Sequence, residues 1–156
     1  MLALIVAMDE NLGIGKDSFL PWRIKEDLQL FKNKTMQKTI IMGQATFEGL
    51  PKPLPNRHTV VVSTDKNLKY DYEEVSVNND LIKLLADSKE CEEMVYVCGG
   101  ASVYKQALSY VDMLCISHVN GVFDVDTYFP DFNLDEFTCT FEEKYEAFTY
   151  REYTRG

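Results

Sequence analysis

Residues 39–63 read TIIMGQATFEGLPKPLPNRHTVVVS. Two apolar, β-branched runs, Thr39–Met42 and His58–Ser63, flank a short helical spacing and a proline-rich loop. Neither run alternates polar with apolar residues, so each reads as a strand buried on both faces. Gly43 stops the first strand, and Phe47 and Leu50, three apart, give residues 44–50 one apolar helical side. Pro51, Pro53 and Pro55 cannot continue that helix. Strand, helix and second buried strand in this order imply a crossover connection and a parallel sheet.

The alternation extends outward in both directions. Leu2–Met8 (LALIVAM) is a continuous apolar run, again a buried strand. Residues 9–23, with Gly13, Gly15 and Pro21, read as loop, and Lys25–Lys34 as a helix with Ile24, Leu28 and Phe31 on one face. Downstream, Asn79 or Asp80 can cap a helix through Ala86, with Leu81, Leu84 and Leu85 inward. Met94–Cys98 is a strand ended by Gly99–Gly100, Ser102–Leu108 a helix and Met113–Val119 a strand. Phe137–Lys144 and Phe148–Tyr153 alternate like an antiparallel hairpin around Tyr145–Ala147. The expectation is a single α/β domain over residues 1–156: a mainly parallel central sheet, helices on both faces, and a C-terminal antiparallel hairpin at the edge. Ligands of such sheets bind outside the carboxyl ends of the strands.

Composition narrows the function. The chain has 156 residues, 46% of them hydrophobic and 26% charged, as in one globular domain with a real core. Its net charge is −9, unevenly spread: residues 1–58 carry eight basic and six acidic side chains, residues 59–156 eight and nineteen. That balance disfavours nucleic acid, whose phosphates need clustered Lys and Arg, but leaves the first third able to hold a small anion. Cysteines 91, 98, 115 and 139 form no CxxC, and neither His58 nor His118 completes a zinc pattern, so no metal site is expected. Cys98, Cys115 and Cys139 sit in strand-like stretches and are expected to be buried. Met1–Met8 has no basic leader, and no apolar run nears the ~20 residues of a membrane helix, so the chain reads as cytoplasmic.

Few residues stand out as chemical. Asp27 follows Pro21–Trp22 and lies beside an apolar helical stripe, where a carboxylate is costly unless paired or solvated. By position alone, a solvated first-turn acid is the plainer reading. Gly43 and Gly99–Gly100 each stand between a strand and a helix, which suits close approach of a phosphate, though a tight packing turn explains either one alone. Neither turn is a P-loop or GxGxxG, and Gly13-Ile14-Gly15 also fails that fingerprint. Two such turns on one sheet favour a long phosphate-bearing ligand spanning both. Arg57, on a proline-braced loop, suits bidentate capture of a carboxylate and reads equally as a surface arginine. Asp126 and Thr127 have equally plain readings as a loop acid and a strand residue.

Together and in order, LIVAMD (4–9), GIGKDSFLPW (13–22), the helix with Asp27, TIIMGQATFEGL (39–50), PLPNR (53–57), VYVCGGASVY (95–104) and DTYFPDF (126–132) closely resemble the dihydrofolate reductase family. The resemblance runs over nearly the whole chain. It implies hydride transfer from NADPH to C6 of 7,8-dihydrofolate with protonation at N5, giving tetrahydrofolate for one-carbon metabolism, in a monomer open to diaminopyrimidine antifolates. Asp27 matches the family's catalytic carboxylate, Trp22 the tryptophan that orders water beside it, and Ser117 the hydroxyl behind it. Leu20 lies in the stretch matching the loop that closes over the nicotinamide. Ile5, Val6, Ala7, Leu28, Phe31 and Leu50 match the pterin and benzoyl walls, and Arg57 the grip on the glutamate α-carboxylate. On the cofactor side, Ala7 and Ile14 match contacts to the carboxamide. Gly43, Gln44, Ala45 and Thr46 match one phosphate turn; Cys98, Gly99, Gly100, Ala101, Ser102 and Val103 match the other, with Tyr104 near the nicotinamide. Ser63, Thr64 and Thr127 complete the implied cofactor set. The chain departs from the family at Gln44 and Ser102, where basic residues are usual. Ser63, Thr64 and Lys66 can partly compensate and Asp65 opposes them, so weaker selection of NADPH over NADH is expected. A reductase of another pteridine or pyrimidine, which would have no need of Arg57, is the rival reading. A non-catalytic folate- or nucleotide-binding module is the second.

Overall fold

The structure, a computed structural model, describes residues 1–16 and 20–156. Asp17, Ser18 and Phe19, inside the GIGKDSFLPW stretch, lie outside the described residues. In chain order the elements are β1 (Leu2–Met8), β2 (Gly13–Gly15), α1 (Lys25–Thr35), β3 (Thr39–Gly43), α2 (Gln44–Glu48), β4 (His58–Val62) and β5 (Val75–Asn78). There follow α3 (Leu81–Lys89), β6 (Val95–Val97), α4 (Ala101–Ala107), β7 (Met113–Val119), β8 (Thr127–Tyr128), β9 (Phe137–Lys144) and β10 (Phe148–Arg155). Eight strands form one sheet in the order β5-β4-β3-β6-β1-β7-β10-β9, parallel from β5 to β7 and antiparallel where β10 and β9 complete the edge.

Alternation along β1 divides the core. Leu2, Leu4, Val6 and Met8 pack with Leu81 and Leu85 of α3 and with Val103, Tyr104 and Ala107 of α4. Ala3 and Ile5 point the other way, toward Phe47 of α2 and Ile24, Leu30 and Phe31 at α1. A strand covered on both faces needs apolar residues at every position, which is why LALIVAM shows no alternation. Each large apolar side chain so buried contributes about 1.5–3 kcal/mol. At the helix ends, α1 carries Glu26 and Asp27 in its first turn and Lys32 and Lys34 in its last, complementing the dipole. α3 is capped by Asp80, whose carboxylate accepts from the Lys83 N–H at 3.2 Å, while Asn79 donates its amide to the Ser63 carbonyl at 2.7 Å.

Several expectations need correction. Residues 9–23 are not all loop, because β2 pairs antiparallel with β8. The buried Asp9 carboxylate pins this segment by accepting from the N–H groups of Asn11, Gly13 and Phe123 at 2.8–3.0 Å. A Cβ at 13 would stand 2.8 Å from Asp9 Oδ2 and Val125 Cγ2, so any larger residue there must displace those side chains. In α1, Leu28 does not enter the core; it is 44% exposed, and Leu30 packs inward instead. Cys139 is exposed, because β9 is an edge strand with only Phe137 buried. α3 runs past Ala86 to Lys89.

Candidate active site

The sheet is split at its centre. β1 pairs with β6 only from Leu2↔Val95 to Leu4↔Val97, but follows β7 as far as Met8↔His118. β6 stays tied to β3: Cys98 N–H donates to the Ile41 carbonyl at 2.8 Å and Gly43 N–H to the Gly99 carbonyl at 2.9 Å. Beyond Leu4 a gap therefore opens between β1 and β6. This is the switch point of the topology, with β3, β4 and β5 laid down on one side and β7 on the other. The Ile5 carbonyl, past the end of the β6 ladder, accepts from the Tyr104 hydroxyl at 2.9 Å. That ring is held against Phe129, and burial pushes its hydroxyl pKa well up.

A cleft of about 470 Å³ fills the gap. Its lining includes Ile5, Val6, Ala7, Ile14, Leu20, Asp27, Leu28, Phe31, Ala45, Thr46, Leu50, Cys98, Gly99, Gly100, Ala101, Tyr104, Ser117 and Thr127, all singled out in the sequence. Gly15, Leu30, Met42 and Leu54 line it too and were not. Leu30 and Met42 carry the same signal as core residues, so composition alone does not separate them. Leu54, between two prolines, was open to recognition as a wall residue of the loop that carries Arg57.

Asp27 is the acidic group on this apolar wall. It is 7% exposed, and the Ser117 hydroxyl donates to its Oδ1 at 2.6 Å. No cation pairs with it among the described residues. Burial holds its carboxyl above the usual carboxylate range, and the Ser117 hydrogen bond only partly opposes that. A carboxylate so placed can take both hydrogens of a planar N–H/NH2 edge.

Arg57 is not part of the cleft lining, though Leu54 on the same loop is, and it is 6% exposed. Its guanidinium donates to Thr35 Oγ1 at 3.1 Å, the Pro55 carbonyl at 2.8 Å and the Lys32 carbonyl at 3.5 Å. Three of five N–H donors are thereby directed, and no carboxylate pairs with the group among the described residues. Burial lowers its pKa. Asp27 lies in the first turn of α1 and Arg57 is fastened to its last turn. Eight residues of helix separate Asp27 from Thr35, about 12 Å at 1.5 Å per residue.

Trp22 is also outside the cleft lining. It is 8% exposed and packs on Phe123 at 5.1 Å between centroids, and its indole Nε1–H is buried without a protein partner. The remaining predicted residues, Gly43, Gln44, Ser63, Thr64, Ser102 and Val103, line an adjoining cavity of about 580 Å³. It shares Ala45, Thr46, Gly100 and Ala101 with the cleft, and Asn79, Asp80 and Gln106 also line it. The two glycine turns meet between the cavities. A Cβ on Gly100 would lie 3.1 Å from Thr46 Oγ1, and one on Gly43 3.3 Å from Val103 Cγ2. α2 and α4 begin at these glycines, and neither has a side-chain cap. Their first-turn N–H groups are left facing a crevice that a larger residue would close, which fits the pyrophosphate of a dinucleotide.

Fold and cleft define a class: an α/β protein whose extended ligand site crosses the switch point of a parallel sheet. A family model described as Dihydrofolate reductase matches residues 1–155. The chain is 39% identical to dihydrofolate reductase type 3 of Salmonella typhimurium over 132 residues, covering 85% of this chain and 80% of that one. It is 37% identical to dihydrofolate reductase of Bacillus subtilis (strain 168) over 134 residues, covering 85% and 77%. The structure of Enterococcus faecalis dihydrofolate reductase complexed with NADP(H) and RAB-propyl superposes with a TM-score of 0.89 at 34% identity, covering 100% of this chain and 96% of that one. The chain belongs to the dihydrofolate reductase family and is an oxidoreductase.

Proposed function

We propose that this chain reduces 7,8-dihydrofolate to 5,6,7,8-tetrahydrofolate with NADPH. The observation that carries the reading is a pair of buried charges without protein counterions. Asp27 and Arg57 flank an apolar cleft at opposite ends of α1. A buried charge is costly unless paired, so the missing partners belong to the ligand. Dihydrofolate supplies both: a 2-amino-pyrimidine edge for Asp27 and, beyond an aromatic spacer, an α-carboxylate for the free fork of Arg57. A substrate without the glutamate tail would leave Arg57 unmatched, which argues against the rival pteridine and pyrimidine reductases.

When bound, the reduced nicotinamide of NADPH supplies the hydride to C6. The chain's own residues do the rest. Ile5, Val6, Ala7, Leu28, Phe31 and Leu50 flank the pterin and benzoyl rings and exclude bulk water. Asp27 holds the pterin N3–H and 2-amino group and raises the basicity of N5, and a water ordered near Trp22 relays the proton to N5. Ser117 fixes the carboxylate's orientation. Leu20, Ile14, Ala7, Thr127 and Tyr104, all on the cleft lining, would hold the nicotinamide end of the cofactor. Gly43, Gln44, Ala45, Thr46 and Gly99 to Val103 would hold the phosphates and adenosine of the cofactor, together with Cys98, Ser63 and Thr64. We further propose that the single domain over residues 1–156 works as a monomer in the cytoplasm, binds diaminopyrimidine antifolates at Asp27, and engages neither nucleic acid nor membrane. A net charge of −9 and four unpaired thiols support this.

The test is the loss of reduced-nicotinamide absorbance on mixing the protein with dihydrofolate. Rapid, dihydrofolate-dependent loss supports the reading. Folded protein that binds dihydrofolate but never oxidises NADPH would leave only the binding-module alternative.

A further inference from the structure

A dinucleotide that lays its nicotinamide in the cleft and passes the Gly99–Gly100 turn must enter the adjoining cavity, because the two share lining at Ala45, Thr46, Gly100 and Ala101. NADPH and NADH differ by one phosphate on the adenosine ribose, a doubly charged group at neutral pH. Sites that select the phosphorylated form meet it with arginine or lysine. Among the described residues, no Lys, Arg or His lines this cavity, and its one ionisable lining residue is Asp80.

Four of the polar side chains present, Gln44, Ser63, Asn79 and Gln106, are already engaged as donors within the protein, which leaves only the neutral hydroxyls of Thr46, Thr64 and Ser102 to donate. The Ser63 hydroxyl donates to Gln44 Oε1 at 2.8 Å, and Gln44 Nε2 donates to the Glu48 carboxylate at 3.2 Å. Asn79 Nδ2 serves the carbonyls of Ser63 at 2.7 Å and Asp65 at 3.2 Å. Gln106 Nε2 reaches back to the Ser102 carbonyl at 3.3 Å. Glu48 thus stands behind Gln44 as a second negative charge. A phosphate entering here gives up hydration, displaces internal hydrogen bonds and meets carboxylates in place of cations. A ribose 2′-hydroxyl needs none of this.

We infer that this cavity does not select for the ribose phosphate: the chain accepts NADH and NADPH with similar affinity, and Gln44 and Ser102 set that tolerance. The inference rests on the reductase reading above.

Equilibrium binding tests it directly. NADPH and NADH are titrated into the folded protein by calorimetry at about 0.05 and 0.5 M salt, since a phosphate–cation contact weakens as salt screens it. 2′,5′-ADP and 5′-AMP are titrated beside them to report on the adenosine end alone. Dissociation constants for the two dinucleotides within about tenfold, with a ratio unchanged by salt, support the inference. A preference for NADPH of about a hundredfold or more that collapses in high salt overturns it while leaving the reductase reading intact. Binding of neither dinucleotide overturns both. Gln44→Arg and Ser102→Arg, singly and together, are expected to raise the NADPH-to-NADH affinity ratio by about tenfold or more. An unchanged ratio in the double variant also overturns the inference.

Discussion

Asp27→Asn should make the protein more stable while disabling it. The wild-type carboxylate is 7% exposed, lacks a cationic partner and has one side-chain donor, the Ser117 hydroxyl at 2.6 Å. Removing its charge gives up a helix-dipole contribution of about 0.3–1 kcal/mol. It also weakens the Ser117 hydrogen bond by about 1 kcal/mol, from a charge-assisted to a neutral one. Against these stands the desolvation of a buried ion, of order several kcal/mol. Because burial outweighs the hydrogen bond in raising the Asp27 pKa, desolvation wins. The net gain at pH 7 is about 1 kcal/mol, or roughly 3 °C in Tm for a chain of this size. The pH dependence follows from the same shift. Between the unfolded value near 3.8 and the higher native one, the native state keeps a proton that the unfolded chain has released. Wild-type stability therefore falls as pH rises through that window and is flat above it. The advantage of Asp27→Asn should be absent below the window and full above it. Urea melts of both proteins from pH 3 to 8 measure this, and turnover at pH 7 should drop by about a hundredfold or more. A variant less stable than wild type at pH 7, or one with normal turnover, would falsify the assignment of Asp27 as an unpaired acid held for the substrate.

Arg57→Ala should raise the dihydrofolate KM by about thirtyfold, near 2 kcal/mol, with little change in kcat. A pterin substrate lacking the glutamate tail should show no such penalty, and an equal loss on both substrates would refute the carboxylate grip. Gly13→Ala should cost about 1–3 kcal/mol in chemical denaturation, because its Cβ collides with Asp9 Oδ2 and Val125 Cγ2 at 2.8 Å; wild-type stability would show that this anchor is soft. Cys91 and Cys139 are exposed, whereas burial pushes the thiols of Cys98 and Cys115 up, the latter to about 11. A thiol reagent at pH 8 should therefore label Cys91 and Cys139 quickly, the half-buried Cys98 on the cleft wall more slowly, and Cys115 only after unfolding, as peptide mapping will show. His118 bonds the Tyr153 hydroxyl at 2.9 Å, and burial brings its pKa down to about 4. Its native ring should stay neutral by NMR until about that pH, while acidification below the ordinary 6.5 erodes stability as the unfolded state takes up the proton.

The long elements were legible because their patterns are strong. Leu2–Met8, Met113–Val119 and Phe137–Lys144 have the boundaries that apolar runs and alternation indicate. The short pairing of Gly13–Gly15 with Thr127–Tyr128 was not, since two- and three-residue strands carry no period and their contact is long-range. The stripe at Ile24, Leu28 and Phe31 was read correctly as one face of a helix, but that face borders the cleft, so Leu28 lines it and stays exposed. A residue waiting for an apolar ligand carries the same signal as a core residue. The burial of Arg57 was equally invisible, because it depends on Thr35 and Lys32, which approach it only once α1 has packed.

β1 lies in the middle of the sheet, and its neighbours β6 and β7 begin about 90 and about 110 residues further along the chain. At a synthesis rate of about 5–20 residues per second, seven of the most apolar residues in the molecule wait roughly 5–20 s for their first strand partner. The centre of the sheet cannot assemble progressively as the polypeptide emerges; it closes late, around a strand made early. Refolding should therefore be limited by this long-range pairing. A cell making this protein in quantity must keep LALIVAM shielded until Val95–Val97 arrives.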